Sequence, residues 1–159
     1  MAITYKDSLT AYALGRRVNG EEWNAITKTK YDSGTLAFGV PVMPGTDPDS
    51  CVILDATNGR NVLGITEASQ TLPHTGDAYA QYDNVSVLTM GVIGVLLDDD
   101  VVEGAQARFN TQSGKWTDAS QSGTVVTVPG AQFEEAGKAG EVGVIRYLRP
   151  VPSTSVSGS

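Results

Sequence analysis

The longest apolar segment of the chain runs from Asn84 to Leu97, with the sequence NVSVLTMGVIGVLL, and contains no charged residue. Its first half alternates between apolar and polar positions, which predicts a half-buried strand, and its second half is apolar at almost every position, which predicts a strand covered on both faces. Gly91 and Gly94 would each cost a helix about 1 kcal/mol. In a strand they mark a bend or a close backbone approach. We therefore predict one long bent strand, or two strands that meet at Met90–Gly91.

Shorter apolar segments lie on either side of this central run. They are separated at close intervals by Gly, Pro, Asn and Asp, which is typical of all-β proteins. The predicted strands cover 36–43, 51–54, 61–66, 105–110, 115–117, 124–128 (ended by a turn at Pro129–Gly130) and 139–148. The fold class predicted from this pattern is all-β: a small β-barrel or jelly-roll-like sandwich with an extended N-terminal arm. The predicted core contains Leu63, Ile65, Val85, Val87, Val92, Ile93, Val95, Phe109, Val142 and Val144.

The start of the chain does not share this pattern. We predict an N-terminal arm over residues 1–32, a β-barrel or jelly-roll body over 33–148 and a flexible C-terminal tail over 149–159. Residues 1–31 hold five basic and three acidic residues, a net charge of +2, while the remaining six basic and fifteen acidic residues give −9, for a total of −7. A basic segment over residues 1–31 on an acidic body suggests different partners for the two parts.

The arm has too few apolar residues to form a core of its own. It nevertheless contains large aromatic and aliphatic residues, which often anchor interfaces, and two arginines whose planar guanidinium groups suit acidic side chains of a partner. The predicted interface residues are Tyr5, Leu9, Tyr12, Arg16, Arg17, Trp23 and Ile26. The alternative is that Trp23 and Ile26 close one end of the barrel.

The sequence contains no motif that predicts catalysis. Asp98, Asp99 and Asp100 suggest a hard cation, but consecutive strand residues face opposite sides, and the spaced calcium-loop pattern is absent. His74 is the only histidine and Cys51 the only cysteine, so neither a zinc cluster nor a disulfide can form within one chain. We therefore predict a protein that is not an enzyme and has no cofactor and no metal site.

The sequence argues against two further classes of partner. A net charge of −7 argues against nucleic-acid binding by the whole chain. The central apolar run is shorter than the roughly 20 residues that a membrane-spanning helix needs. We predict no nucleic-acid partner and no membrane partner. A sugar-binding platform built from exposed Trp23 and Trp116 stays open as an alternative, although a core or interface role is the more common one for tryptophan.

Four segments resemble bacteriophage capsid cement proteins, also called head decoration proteins. The resemblance covers about residues 33–148 and rests on turn and strand patterns. The segments are LAFGVPVM, NVLGIT, DNVSVLTMGVIGVLLDDDVVEGAQARFNTQSGKW and VPGAQFEEAGKAGEVGVIRYL. This resemblance implies a small β-barrel or jelly roll with an N-terminal arm.

The resemblance also implies a function. Such a protein binds the outer surface of a tailed-phage capsid in the virion, after synthesis in the host cytoplasm, and clamps neighbouring major capsid protein subunits. It implies a homo-oligomer, and a homotrimer rather than a homodimer, because many capsid sites have local threefold symmetry. Independently of the resemblance, the second half of the central run has few polar positions for a strand with one exposed face, so part of it, or the apolar residues near Phe38 and Val40, is expected to face another subunit. The alternative is a β-module of a phage head fibre or tail component that binds a glycan or the host surface.

Overall fold

The computed structural model describes residues 13–18, 21–56, 61–68 and 76–151. These ranges contain eleven strands and no helix, so the chain is all-β, as predicted. The strands are β1 (Asn24–Thr29), β2 (Leu36–Ala37), β3 (Pro41–Pro44), β4 (Cys51–Ile53), β5 (Gly64–Thr66), β6 (Ala78–Tyr79), β7 (Asn84–Leu96), β8 (Gln106–Asn110), β9 (Lys115–Thr117), β10 (Val125–Phe133) and β11 (Val142–Leu148).

Nine of these strands form one curled antiparallel sheet. Its order is β4-β3-β5-β7-β11-β10-β8-β9, and β1 pairs with β7 outside this path, while β2 and β6 form a separate pair. The sheet curls far enough that its last strand returns to the end of β7. Leu97 forms an isolated bridge with Trp116 of β9, and the backbone N–H of Asp98 donates to the Trp116 carbonyl at 2.7 Å. The curled sheet forms a half-barrel, which agrees with the predicted class of a β-barrel or sandwich.

The central apolar run is one strand and not two. Its first half pairs with β1 and β5, and its second half pairs with β11. Gly91 has a φ of 143°, and a Cβ added there would lie 3.2 Å from the Cβ of Trp23. Glycine therefore permits both the unusual backbone angle and the close approach of the N-terminal chain.

The predicted core is confirmed except at one residue. Val142, the first residue of β11, is only partly buried, and the other nine predicted core residues are buried. The sequence predicts that part of the second half of β7, or the apolar residues near Phe38 and Val40, faces another subunit, but most of these side chains are buried within the chain, and only Met90 and Leu96 of that half of β7 are partly exposed. Phe38 and Val40 lie in the core, and the Phe38 ring packs edge-on against Tyr79 with centroids 5.1 Å apart. The chain covers these residues itself because β11 and the N-terminal residues pack along β7.

The described N-terminal residues, 13–18 and 21–31, lie on the β body, and we call them the strap. Gly15 and Val18 donate backbone hydrogen bonds to the carbonyls of Gly94 and Val92 at 2.9 and 3.0 Å. Further along, all of β1 pairs with β7. Residues 1–12 and 152–159 lie outside the described ranges, so the predicted division into arm, body and tail stays a prediction. The part of the arm that is described belongs to the sheet.

The predicted turn at Pro129–Gly130 is wrong. Both residues lie within β10, where the pairing with β8 shifts register between Thr127 and Gln132. Gly130 has a φ of 83°, so the turn signal marks an irregularity inside one strand.

Candidate interaction surface

Arg17 and Trp23 of the strap form a stacked pair on the outside of β7. The Arg17 guanidinium carbon lies 3.4 Å from the centre of the Trp23 ring, which is cation–π geometry. The Arg17 Nε also donates to Glu67 Oε2 at 2.7 Å, and the Glu67 side chain is only 6% exposed. The other Glu67 oxygen accepts a hydrogen bond from Ser86 Oγ at 3.1 Å. A nearly buried carboxylate thus holds the arginine and, through it, the tryptophan.

Because of this arrangement, Arg17→Ala is expected to destabilise the fold. Glu67 would remain buried without its cation, and leaving a buried charged group unsatisfied costs about 1–3 kcal/mol. Thermal melting should show a lower Tm for Arg17→Ala, and Arg17→Ala combined with Glu67→Gln should recover part of the loss. Arg16→Ala is the control, because Arg16 is exposed. Equal melting temperatures for the two single variants would contradict this role of Arg17.

Arg146 of β11 joins the strap to Glu134, the residue that follows β10. Its Nε and Nη2 donate to the two carboxylate oxygens of Glu134 at 3.0 and 2.7 Å. Its Nη1 and Nη2 donate to Glu21 at 2.6 and 3.2 Å. The hydrogen bonds that Arg146 donates to Glu134, and next those that it donates to Glu21, raise the pKa of Arg146, and the hydrogen bond from Arg146 lowers the pKa of Glu21. All three side chains are well exposed, so this group positions the strap more than it stabilises the fold.

The structure brings together only some of the predicted interface residues. Arg16 is exposed, Trp23 is 46% exposed, and Arg17 and Ile26 are partly buried. Ile26 packs against the core from β1. Arg17 is engaged within its own chain, so Arg16 and Trp23 are the residues of this set that the described surface offers to a partner. Tyr5, Leu9 and Tyr12 lie outside the described residues.

Trp116, the second half of the proposed sugar platform, is in the core. It is 1% exposed, its Nε1 donates to the Gly39 carbonyl at 2.7 Å, and its ring packs against Phe109 at 5.6 Å. A buried indole cannot stack on a sugar. The two tryptophans therefore do not form a platform.

The three consecutive aspartates turn toward three different partners. Asp98 accepts from Asn110 Nδ2 at 2.9 Å, Asp99 accepts from Thr117 Oγ1 at 2.8 Å, and Asp100 pairs with Lys138 at 2.8 Å. The hydrogen bond to Lys138 lowers the pKa of Asp100. In the part of the chain that the structure describes, no group of three metal-ligating side chains converges. These carboxylates fix the loop after β7.

Other residues considered for chemistry are equally occupied or outside the described ranges. Cys51 is fully buried, and burial raises the pKa of its thiol to about 11, which leaves it a poor nucleophile. His74 lies outside the described residues. Within the described ranges no helix has the length and apolar character to cross a membrane.

Sequence reasoning missed the acidic half of the strap's contacts. From the sequence, Glu21 counts only as one of the acidic residues of the arm. Glu67, Glu134 and Arg146 carry no signal that places them at this surface. Glu21 and Arg146 are 125 positions apart, and no spacing rule links residues at such a distance. The only available signal was a charged residue inside the otherwise apolar segment of β11, which points to a partner on the outer face of the sheet.

Comparison with known proteins identifies the family to which the chain belongs. The family model described as structural cement protein (E217 gp24/Pam3 gp6) matches residues 1–148. A chain from the solved capsid of Myoviridae phage XM1 has a similar fold, with a TM-score of 0.71 and 21% identity over 93% of this chain and 98% of that chain. At this identity the structural similarity shows the fold alone. No curated protein matches. The family match spans both the strap and the β body, and with it the chain belongs to the phage structural cement protein family.

Proposed function

We propose that this protein binds the outer surface of a tailed-phage capsid and stabilises the shell by clamping neighbouring major capsid protein subunits. The observation that carries the proposal is the family match over residues 1–148, which gives the chain a capsid-associated structural role in the virion. A cement protein that binds the assembled lattice, and not separated subunits, stabilises the lattice by mass action.

Residues 1–12, which we call the leader, are the centre of the proposed contact with the capsid. Residues 13–18 are bonded to the second half of β7 and, through Gly15, to Ala68, so the described chain begins at a fixed point on the body. Tyr5, Leu9 and Tyr12 would supply apolar contact, and the exposed Arg16 would pair with a carboxylate of the neighbouring subunit. Trp23 extends this surface with the part of its ring that Arg17 leaves exposed.

We further propose that the protein acts as a homotrimer. Three copies held together present three leaders to the lattice, and linked weak contacts combine into a much tighter attachment than one contact provides. Local threefold positions of an icosahedral shell would match this symmetry. Mass determination in solution and on the shell tests the stoichiometry.

The central test is binding of the purified protein to capsids that lack it. We expect saturable co-sedimentation and density at defined lattice positions on the outer face of the shell. The same protein applied to a glycan array tests the alternative of a host-surface module. Binding to glycans without binding to shells would overturn the cement function.

Arg16→Glu is expected to weaken shell binding with little change in melting temperature. The Arg16 side chain is exposed, so its reversal affects a partner and not the fold. Lys138→Glu is the control for the charge reversal, because Lys138 is also exposed but pairs with Asp100 in the segment between β10 and β11, whereas Arg16 is bonded to Gly94 of β7. A loss of shell binding by both variants would indicate a general charge effect, and no loss by Arg16→Glu would remove Arg16 from the interface.

A further inference from the structure

Two tyrosines form a fixed aromatic pair at the far end of β1. Tyr82 is 68% exposed and Tyr31 is 42% exposed, with ring centroids 6.3 Å apart and ring planes nearly perpendicular. The backbone N–H of Tyr82 donates to the Lys30 carbonyl at 2.6 Å, and Gln81 Nε2 donates to the Tyr31 carbonyl at 2.7 Å. These bonds hold both rings at the surface. We call the pair and the residues around it the tyrosine end.

The backbone at Tyr82 is poorly suited to tyrosine. Its φ is 68°, in the left-handed region that glycine and asparagine adopt far more readily than bulky residues do. The turn around it is fixed by Asp83, whose carboxylate accepts from the Ala80 N–H at 2.8 Å. A large, exposed aromatic ring at this position strains the fold while burying little surface within the chain. Its presence points to a contact outside the chain.

The surroundings of the pair are acidic. A cavity of about 170 Å³ is lined by Tyr31 together with Asp32 and Asp47. The two nearby lysines are already paired, Lys30 with Asp32 at 3.2 Å and Lys28 with Asp49 at 3.3 Å. Lys30 is 1% exposed, so it offers no charge to a partner. The excess charge that remains at the tyrosine end is negative.

The strap shows which kind of side chain suits a surface made of aromatic rings and carboxylates. There, an arginine stacks on Trp23 and pairs with Glu67, so this chain already places one guanidinium between an aromatic ring and a carboxylate. The tyrosine end presents the same two kinds of group. Among the described residues, no cation lies over the Tyr31 or Tyr82 ring.

The tyrosine end is well separated from the leader contact. Trp23 lies beside Gly91, whereas β1 ends opposite Asn84, at the start of β7. At about 3.3 Å per strand residue, the two surfaces are roughly 20 Å apart along β7. A protein that clamps two subunits needs two surfaces separated in this way.

From these observations we infer that the tyrosine end is a second capsid contact. It binds a segment bearing arginine or lysine on a major capsid protein subunit other than the one that the leader contacts. This inference rests on the proposed cement function and adds to it the second half of the clamp and the chemistry of its partner.

Tyr82→Asn separates a binding role from a structural one. Asparagine accepts the left-handed backbone, so the melting temperature should stay the same or rise, while affinity for capsids lacking the protein should fall at least about tenfold. Tyr31→Ser should also lower the affinity, and Asp47→Lys should lower it through charge. Val102→Ala is the control, because Val102 is also exposed and apolar, at 65%, but lies between β7 and β8. Wild-type binding should weaken as salt is raised.

Several results would overturn the inference. Wild-type affinity of Tyr82→Asn for shells would do so, as would a fall in its melting temperature that accompanies the fall in affinity. A change in the oligomer mass of Tyr82→Asn in solution would instead assign the surface to contact between copies of the chain. If the wild-type protein fails to bind shells at all, the cement function itself fails. If the wild-type protein binds shells and the Tyr82, Tyr31 and Asp47 variants bind equally well, the cement function stands without this second contact.

Discussion

Val87→Asp is expected to abolish cooperative folding. Val87 is fully buried in the first half of β7, where it lies opposite Ile26 of β1 on one side and Thr66 of β5 on the other. An unpaired carboxylate at this position loses its hydration without gaining a partner, at a cost of several kcal/mol. That cost is comparable with the whole stability of a typical domain, about 5–15 kcal/mol. Solubility and circular dichroism melting measure the effect.

The matched control is Val151→Asp, the same substitution at a residue that is 89% exposed. It should leave the melting temperature nearly unchanged, because the new charge remains in water. A soluble Val87→Asp protein that melts cooperatively near the wild-type temperature would show that β7 is not the central strand of the fold.

Deleting residues 2–31 is expected to destabilise the β body severely. The division of the sequence into an N-terminal arm and a separate β body predicts that the body stays folded without the arm. The structure changes the expected result, because β1 pairs with β7 along its whole length and Lys30 is buried. Without β1, one edge of the first half of β7 is left open. We expect insoluble protein or a Tm lower by roughly 10 °C or more, at about 2–4 °C per kcal/mol for a chain of this size.

Deleting residues 2–12 is the informative truncation. It leaves every described contact of the strap in place, so the melting temperature should stay close to wild type. Occupancy of capsids should nevertheless be lost, because Tyr5, Leu9 and Tyr12 are removed. Full occupancy by this shorter protein would refute the leader as the capsid contact, and a folded, stable protein after deletion of 2–31 would show that the strap is dispensable for the body.

The strap is bonded to the centre of the β body. Its hydrogen bonds to Gly94 and Val92 run along the strand at the centre of the sheet, and Arg146 ties Glu21 to Glu134 across β11. A force applied at the start of the strap would therefore act first on β7 and its neighbours, and not on a loop at the edge.

Much of the fold follows from the sequence alone. The continuous apolar run from 84 to 97 predicts a central strand because such a run must be covered on both faces. The alternation around Val85 and Val87 predicts which side chains are buried, because the side-chain period in a strand is two. Turn residues at close intervals predict the all-β class, and the family could be recognised from four strand segments. These signals are local: each can be read from a short segment without knowing which distant residues that segment contacts.

The tertiary structure decided which residues meet. The residues of the strap looked like part of an arm because they are sparse in apolar residues, but β1 fills an edge of β7 with backbone hydrogen bonds, which depend little on side-chain type. Arg17 looked available to a partner until Glu67, fifty positions away, proved to hold it. The tyrosine end forms only because Tyr31 and Tyr82 are brought together by β1 and the turn before β7. Long-range pairing of charges and rings depends on the closure of the sheet, and nothing in the spacing of the residues encodes it.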